Sequence, residues 1–204
     1  MAIPLKTKTT PTFVAPTKQV AKAAPALKDL NLKQKAKRKS KAQENMITMR
    51  KHLFPLISEE HLWLRTVNHG FTTIPRTMPL FMNVINDLAK SVSDKSVPAA
   101  KTYLTLWCRV FDDGILKIDD EAAAAVEAGY VGERNVTTWR DHLKVLKELG
   151  FIDFAAGSTP CQWIVIRNPY LAVMELKDRI QPATYNALCQ RALEIGAAKD
   201  MGLE

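Results

Sequence analysis

The sequence predicts a mainly α-helical protein with a small β-hairpin and a basic N-terminal arm. Three observations carry that expectation. Apolar residues recur at helical spacing in several segments. Two strand-like runs, 151–154 and 162–167, flank a Gly/Ser/Pro turn. Charge is also segregated: residues 1–51 hold 13 Lys/Arg against 2 Asp/Glu, and the remainder holds 16 against 19, so the formal net charge of +8 is a +11 arm on a −3 body. With 204 residues the chain has room for one domain with an appendage or for two small domains.

The first thirty or so residues contain Pro4, Pro11, Pro16 and Pro25 and no acid before Asp29. Too little apolar material is present to offset the entropy of ordering them, so a disordered arm is expected over 1–51. The opening residues 1–28 lack the arginines and amphipathic period of an import signal. From Leu27 the prolines stop, and 27–53 is a helix candidate once its charge is neutralised. Lys33, Lys35, Lys37, Arg38, Lys39 and Lys41 make it a polyanion contact, which nucleic acid, an acidic protein surface or anionic lipid would all satisfy.

Residues 52–98 read as an accessory segment. Ser58 with Glu59 and Glu60 predicts a helix start, with Leu62, Leu64 and Val67 as its apolar side and a stop near Gly70. Residues 71–79 have no helical period and two prolines, so they form an extended segment or ordered loop. Leu80, Phe81, Val84, Ile85 and Leu88 then give a helix bounded by Pro79 and Ser93.

Residues 99–170 are the informative stretch. After Pro98, a core helix is expected from Tyr103, Leu104, Leu106, Trp107, Val110 and Phe111, ended by Asp112-Asp113-Gly114. Ile115–Ile118 is a short strand candidate, and Asp119, Asp120 and Glu121 place acids at the start of an Ala-rich second helix. After a turn at 130–134, a third helix begins near Asn135–Thr137, with those residues available as N-caps. Trp139, Leu143, Leu146 and Leu149 fall on one face, and Gly150 ends it. The hairpin follows. Helices at 170–176 and 185–195, separated by Gln181-Pro182, complete the chain as a packing or dimerisation segment, 171–204.

Helix, strand, helix, turn, helix and hairpin, with Trp139, Leu143, Leu146, Leu149, Gly150, Phe151 and Ile152 spaced as they are, resemble the winged helix-turn-helix DNA-binding superfamily over about residues 99–170. Trp139 is larger than the aliphatic residue usual in that family, and the turn before the third helix is longer than in compact repressors. The resemblance implies a mainly α fold with a winged helix-turn-helix core, and a transcriptional or replication and maintenance regulator of bacterial or mobile-element type. It also implies double-stranded DNA as partner of the helix at 135–149.

With the apolar face inward, Arg140, Lys144 and Lys147 lie at i, i+4 and i+7 on the opposite side. Residues near the start of such a helix reach base edges and later ones meet phosphates. Asn135, Thr137, Thr138, Arg140 and Asp141 are therefore base or edge candidates, and Arg134, Lys144 and Lys147 phosphate candidates. Glu133, Asp141 and Glu148 dilute this stripe, and the plain alternative is a wet outer face. The hairpin has no Lys or Arg between Asp153 and Arg167, so a structural role there is as well supported as a groove contact. A homodimer suits a symmetric site, and 69–79 is the natural surface for a protein partner if the domain serves as a scaffold subunit instead.

No enzyme is expected. His52, His61, His69 and His142 show no ligand pairing, and there is no GxSxG or phosphate loop. The acids at 112–113 and 119–121 are explained by helix ends rather than by Mg²⁺. No cofactor, metal site or catalytic residue is assigned. Cys108, Cys161 and Cys189 are read as buried reduced thiols of a cytoplasmic protein, and no stretch approaches the ~18 apolar residues of a membrane span.

Overall fold

A computed structural model describes residues 26–93 and 97–203, with side chains from residue 40 onward. The disordered-arm expectation for 1–25 lies outside the described residues. The chain divides into two compact units, 1–63 and 64–204. Among the described residues the protein is mainly helical, with one small three-stranded antiparallel sheet. No described helix is long and apolar enough to cross a membrane.

The first unit is dominated by α1 (Ala26–Leu53), a helix of 28 residues that Pro55 prevents from continuing. Where the sequence suggests a second helix from Ser58, there is only a 3-10 turn, Glu59–His61. Ser58 is extended as a cap should be, but its hydroxyl serves Glu60 and the His61 ring rather than a backbone N–H. Arg50 and Lys51 fold back onto Glu59, at 2.9 and 3.3 Å, and hold its carboxyl below the ordinary range.

The second unit has one core. Its elements are α2 (Met78–Val92), α3 (Ala100–Arg109), β1 (Ile115–Lys117), α4 (Glu121–Glu127), α5 (Asn135–Glu148), β2 (Ile152–Ala155), β3 (Trp163–Ile166), α6 (Pro169–Glu175) and α7 (Pro182–Ile195). The apolar positions of α2, Phe81, Val84, Ile85, Leu88 and Ala89, are buried as their spacing requires. They join Tyr103 and Leu106 of α3 and Trp139, Leu143 and Leu146 of α5. Because α2 packs against α3, α5, α6 and α7, residues 78–92 and the helices after 168 share one core with residues 99–167. A buried hydrogen bond, Thr77 Oγ1 to Tyr170 hydroxyl at 2.9 Å, ties the start of α2 to α6. The last long helix sends Leu188 and Ala192 into this core and leaves Leu193 exposed.

Helix α3 stops at Arg109, short of the Asp-Asp-Gly turn, and Phe111 is 84% exposed rather than part of the core. Val110 is already extended and leads toward β1. The sheet order is β1-β3-β2, with Leu116 opposite Ile164 and Phe154 opposite Ile164 on its other side. Leu116 and Ile164 face the core, while Ile115, Val165 and Trp163 face outward. Cys161 is buried and Cys189 half-buried, but Cys108 is exposed, because its position on α3 lies outside the packed face; all three are free thiols.

Candidate nucleic-acid interface

Helix α4 begins with a true cap. Asp120 is extended, and its Oδ1 accepts the Ala123 N–H at 3.0 Å, which explains one of the three clustered acids. Glu121, at the first helical position, is buried. The helix ends at Glu127, and the chain turns through Gly129 and Gly132, whose φ values of 88° and 97° require residues without a Cβ. Asn135 N–H donates to Gly132 carbonyl to start α5. The residue in the cap position is Arg134, with no side-chain cap bond. The expected N-caps Asn135 and Thr137 do not act as such: Asn135 Oδ1 accepts from the adjacent Val136 N–H at 2.7 Å, and Thr137 points to solvent.

On α5, Trp139, His142, Leu143, Val145 and Leu146 are buried. Arg134, Thr137, Asp141, Lys144, Lys147 and Glu148 are exposed, whereas Asn135, Thr138 and Arg140 are half-buried. The outward stripe is therefore Thr137, Asp141, Lys144 and Glu148, at i, i+4, i+7 and i+11. The inferred stripe of Arg140, Lys144 and Lys147 is corrected at its first member. Arg140 turns toward α4 and grips Glu121 through both Nε, at 3.1 and 3.2 Å, and Nη2, at 2.5 Å. Glu121 is buried and would otherwise carry an uncompensated charge, and its carboxylate in turn raises the Arg140 pKa. Arg140 is thus a clamp between two helices, with its guanidinium engaged by Glu121.

The other two cations are paired more loosely. Lys144 Nζ lies 2.9 Å from Asp141 Oδ1, with both side chains more than half exposed. Lys147 Nζ lies 2.5 Å from Asp153 Oδ1 and over the Phe154 ring, 4.7 Å from its centroid. Its hydrogen bond, with that of the Phe154 N–H, holds the Asp153 carboxyl below the ordinary range. Such exposed pairs are worth ~0–1 kcal/mol and exchange readily for a phosphate.

Behind this face sits a polar cluster in the core. Tyr130 hydroxyl lies 2.6 Å from His142 Nδ1 and 2.8 Å from Thr102 Oγ1. The Tyr130 and His142 rings meet edge to face. Burial lowers the His142 pKa, with Asp141 opposing it weakly, and burial raises that of Tyr130. The cluster anchors the turn at Tyr130 and α5 to α3.

The hairpin tip is held by one side chain. Gln162 Oε1 accepts Ser158 N–H at 2.9 Å, and its Nε2 donates to Ser158 Oγ at 2.8 Å. Although the hairpin has no lysine of its own, it acquires two from elsewhere. Lys147 of α5 lies on Phe154, and Lys117 of β1 sits over the Trp163 ring at 5.8 Å while pairing with Asp119 at 2.6 Å. Lys117, Phe154 and Trp163 were not among the residues singled out from sequence. The pairing of β1 with β3, across 46 residues, brings Lys117 to Trp163, and the packing of α5 on β2 brings Lys147 to Phe154.

No family model, curated protein or solved structure matches this chain.

On α1, Lys41 is exposed. Lys33, Lys35, Lys37, Arg38 and Lys39 lie on the helical backbone, with side chains outside the description. Among the described residues, no three His, Cys, Asp or Glu side chains converge as a metal site would require. In the 69–79 segment, Phe71 and Ile74 are exposed and Arg65 stacks on the Phe71 ring at 4.6 Å.

Proposed function

We propose that this chain is a double-stranded-DNA-binding protein of winged-helix type, a regulator of transcription or of replication and maintenance. In this reading α5 enters the groove and the basic helix α1 adds sequence-independent contact. The observation that carries it is the order α3-β1-α4-α5-β2-β3, with β1 closing onto the hairpin as a third strand and α5 leaving one face uncovered. Thr137 and Asp141 are the edge-reading candidates on that face, and Arg134, Lys144 and Lys147 the phosphate contacts. Lys117 and Lys147 are the cations beside the hairpin, each paired with an exposed carboxylate that a phosphate can replace.

The test is selection from a random duplex library with the full chain, at about 0.2 M salt to suppress arm-driven background. A recovered motif supports the reading. Affinity for it should fall on Lys144→Ala by a salt-dependent amount, and on Thr137→Ala by ~1–3 kcal/mol if that residue reads a base. Absence of any motif refutes it.

One observation favours a second reading. The cations Arg140, Lys144 and Lys147 each meet a carboxylate, so the outer face of α5 is nearly neutral. Such a face suits a protein partner, and the chain would then be a scaffold subunit that holds nucleic acid through α1 alone. Under that reading, neutralising Lys33, Lys35, Lys37, Arg38, Lys39 and Lys41 to Gln abolishes duplex binding. Changes on α5 leave it intact.

A further inference from the structure

Helix α1 carries two different surfaces in succession along its length. Residues 28–41 contain seven Lys/Arg and one acid, Asp29. Residues 42–57 contain Glu44, Arg50 and Lys51 as their charged residues, and the last two share Glu59 as an ion-pair partner. In this second part, Ala42, Met46, Met49 and Leu53 are spaced 4, 3 and 4 apart, which places them in one narrow stripe. All four are exposed, Met46 by 70%, Met49 by 53% and Leu53 by 58%.

A stripe of that spacing matches the seam of a two-helix contact, with Ile47, 41% exposed, beside it. Its flanks say what kind of helix fits. The positions beside the seam are Gln43, Asn45, Arg50 and His52. None is an acid seeking a basic partner, and Arg50 is already held by Glu59. A strongly charged partner helix finds nothing complementary there. An identical helix sets no like charges against each other, because Arg50 faces the neutral Asn45 of the other copy in a parallel pair.

We infer that the Ala42–Met46–Met49–Leu53 stripe is a homotypic contact whose occupant is α1 of a second copy of this chain. The seam covers fewer than the three to four heptads of a self-sufficient coiled coil, so its dissociation constant is on the order of a millimolar. Two chains held by their basic halves on one polyanion reach comparable local concentrations, about a millimolar. The contact therefore operates when nucleic acid loads two arms side by side. That coupling rests on the polyanion reading of α1; the seam itself does not.

The two parts are tested separately, in the full-length chain. With Cys108→Ser and Cys189→Ser as background, Met49→Cys chains are treated at high concentration, without nucleic acid, with a short bismaleimide. A mixture of Met46→Cys and Met49→Cys chains is treated likewise. Self-linking of Met49→Cys indicates a parallel pair and preferential linking in the mixture an antiparallel one, and either supports the seam. The triple variant Met46→Gln, Met49→Gln, Leu53→Gln keeps charge and helix propensity, and in each cysteine chain the Gln changes are made at the other two positions. They should reduce linking about tenfold. Linking that is absent, or unchanged by the Gln substitutions, overturns the inference and points to a different protein or a lipid surface as occupant. On a duplex of arbitrary sequence, the unmodified chain should bind with about three- to tenfold cooperativity that the triple-Gln variant lacks. Failure to bind duplex at all, with linking intact, removes the polyanion reading and leaves the seam.

Discussion

Arg140→Ala separates a clamp from a reader. Removing the guanidinium leaves Glu121, which is 5% exposed at its side chain, without its partner, while Arg140 itself is 35% exposed. Breaking a fully buried pair by deleting one partner costs about 3–5 kcal/mol. Water reaches the arginine side here and screens part of the interaction, so ~2–3 kcal/mol is expected. For a cooperative unit of about 140 residues that corresponds to a Tm lower by ~5–10 °C. The assay is thermal unfolding followed by circular dichroism, beside duplex binding measured well below the lowered Tm. The double change Glu121→Met, Arg140→Met removes both charges and should recover most of the loss, because apolar replacement of a buried pair is close to neutral. If Arg140→Ala unfolds within a degree or two of the parent but loses sequence-specific binding, the arginine is a reader and not a clamp.

Three further outcomes follow from contacts in the second unit. His142 titrates below its unfolded value of 6.5 because it is buried, so unfolded chains bind more protons between the two values. Stability is complete above pH 6.5 and declines as pH falls through the folded value, then levels off. Urea midpoints between pH 7.5 and 5.5 should show that slope in the parent and not in His142→Asn. A Cβ on Gly157 would sit 2.0 Å from Gln162 Oε1, so Gly157→Ala should displace Gln162 from Ser158 and cost ~1–2 kcal/mol. Unchanged amide exchange at the hairpin tip would show that Gln162 does not hold it. Tyr170→Phe leaves the fully buried Thr77 hydroxyl without its 2.9 Å partner, for a loss of ~1–2 kcal/mol in equilibrium unfolding.

The face of α5 was legible because Trp139, Leu143, Leu146 and Leu149 repeat at helical spacing, and periodicity is a local property of the chain. The same holds for α2 and for the two runs that become β2 and β3. What failed needed information from elsewhere in the chain. Ser58 has the composition of a helix start, but Val67 finds no core to cover it and stays 65% exposed, so only a 3-10 turn forms. Arg140 has the spacing of an outward residue, and only the burial of Glu121, nineteen positions earlier, draws it aside. The hairpin is charge-poor in its own residues. Its lysines arrive from β1 and α5, through a strand pairing and a helix packing that no local pattern encodes.

The sheet has two open sides, and both resist extension by a passing chain. Strand β1 is only three residues long and ends in Lys117, whose charge disfavours an incoming strand. On β2, the alternation of antiparallel bonding turns the Phe154 N–H away from β3. That N–H is already taken by Asp153 Oδ1 at 2.7 Å. The small sheet can therefore stand at the surface, with Ile115, Val165 and Trp163 in water, without templating fibrils. Substituting Asp153, which looks like a surface change, would unmask an outward-facing amide on that edge.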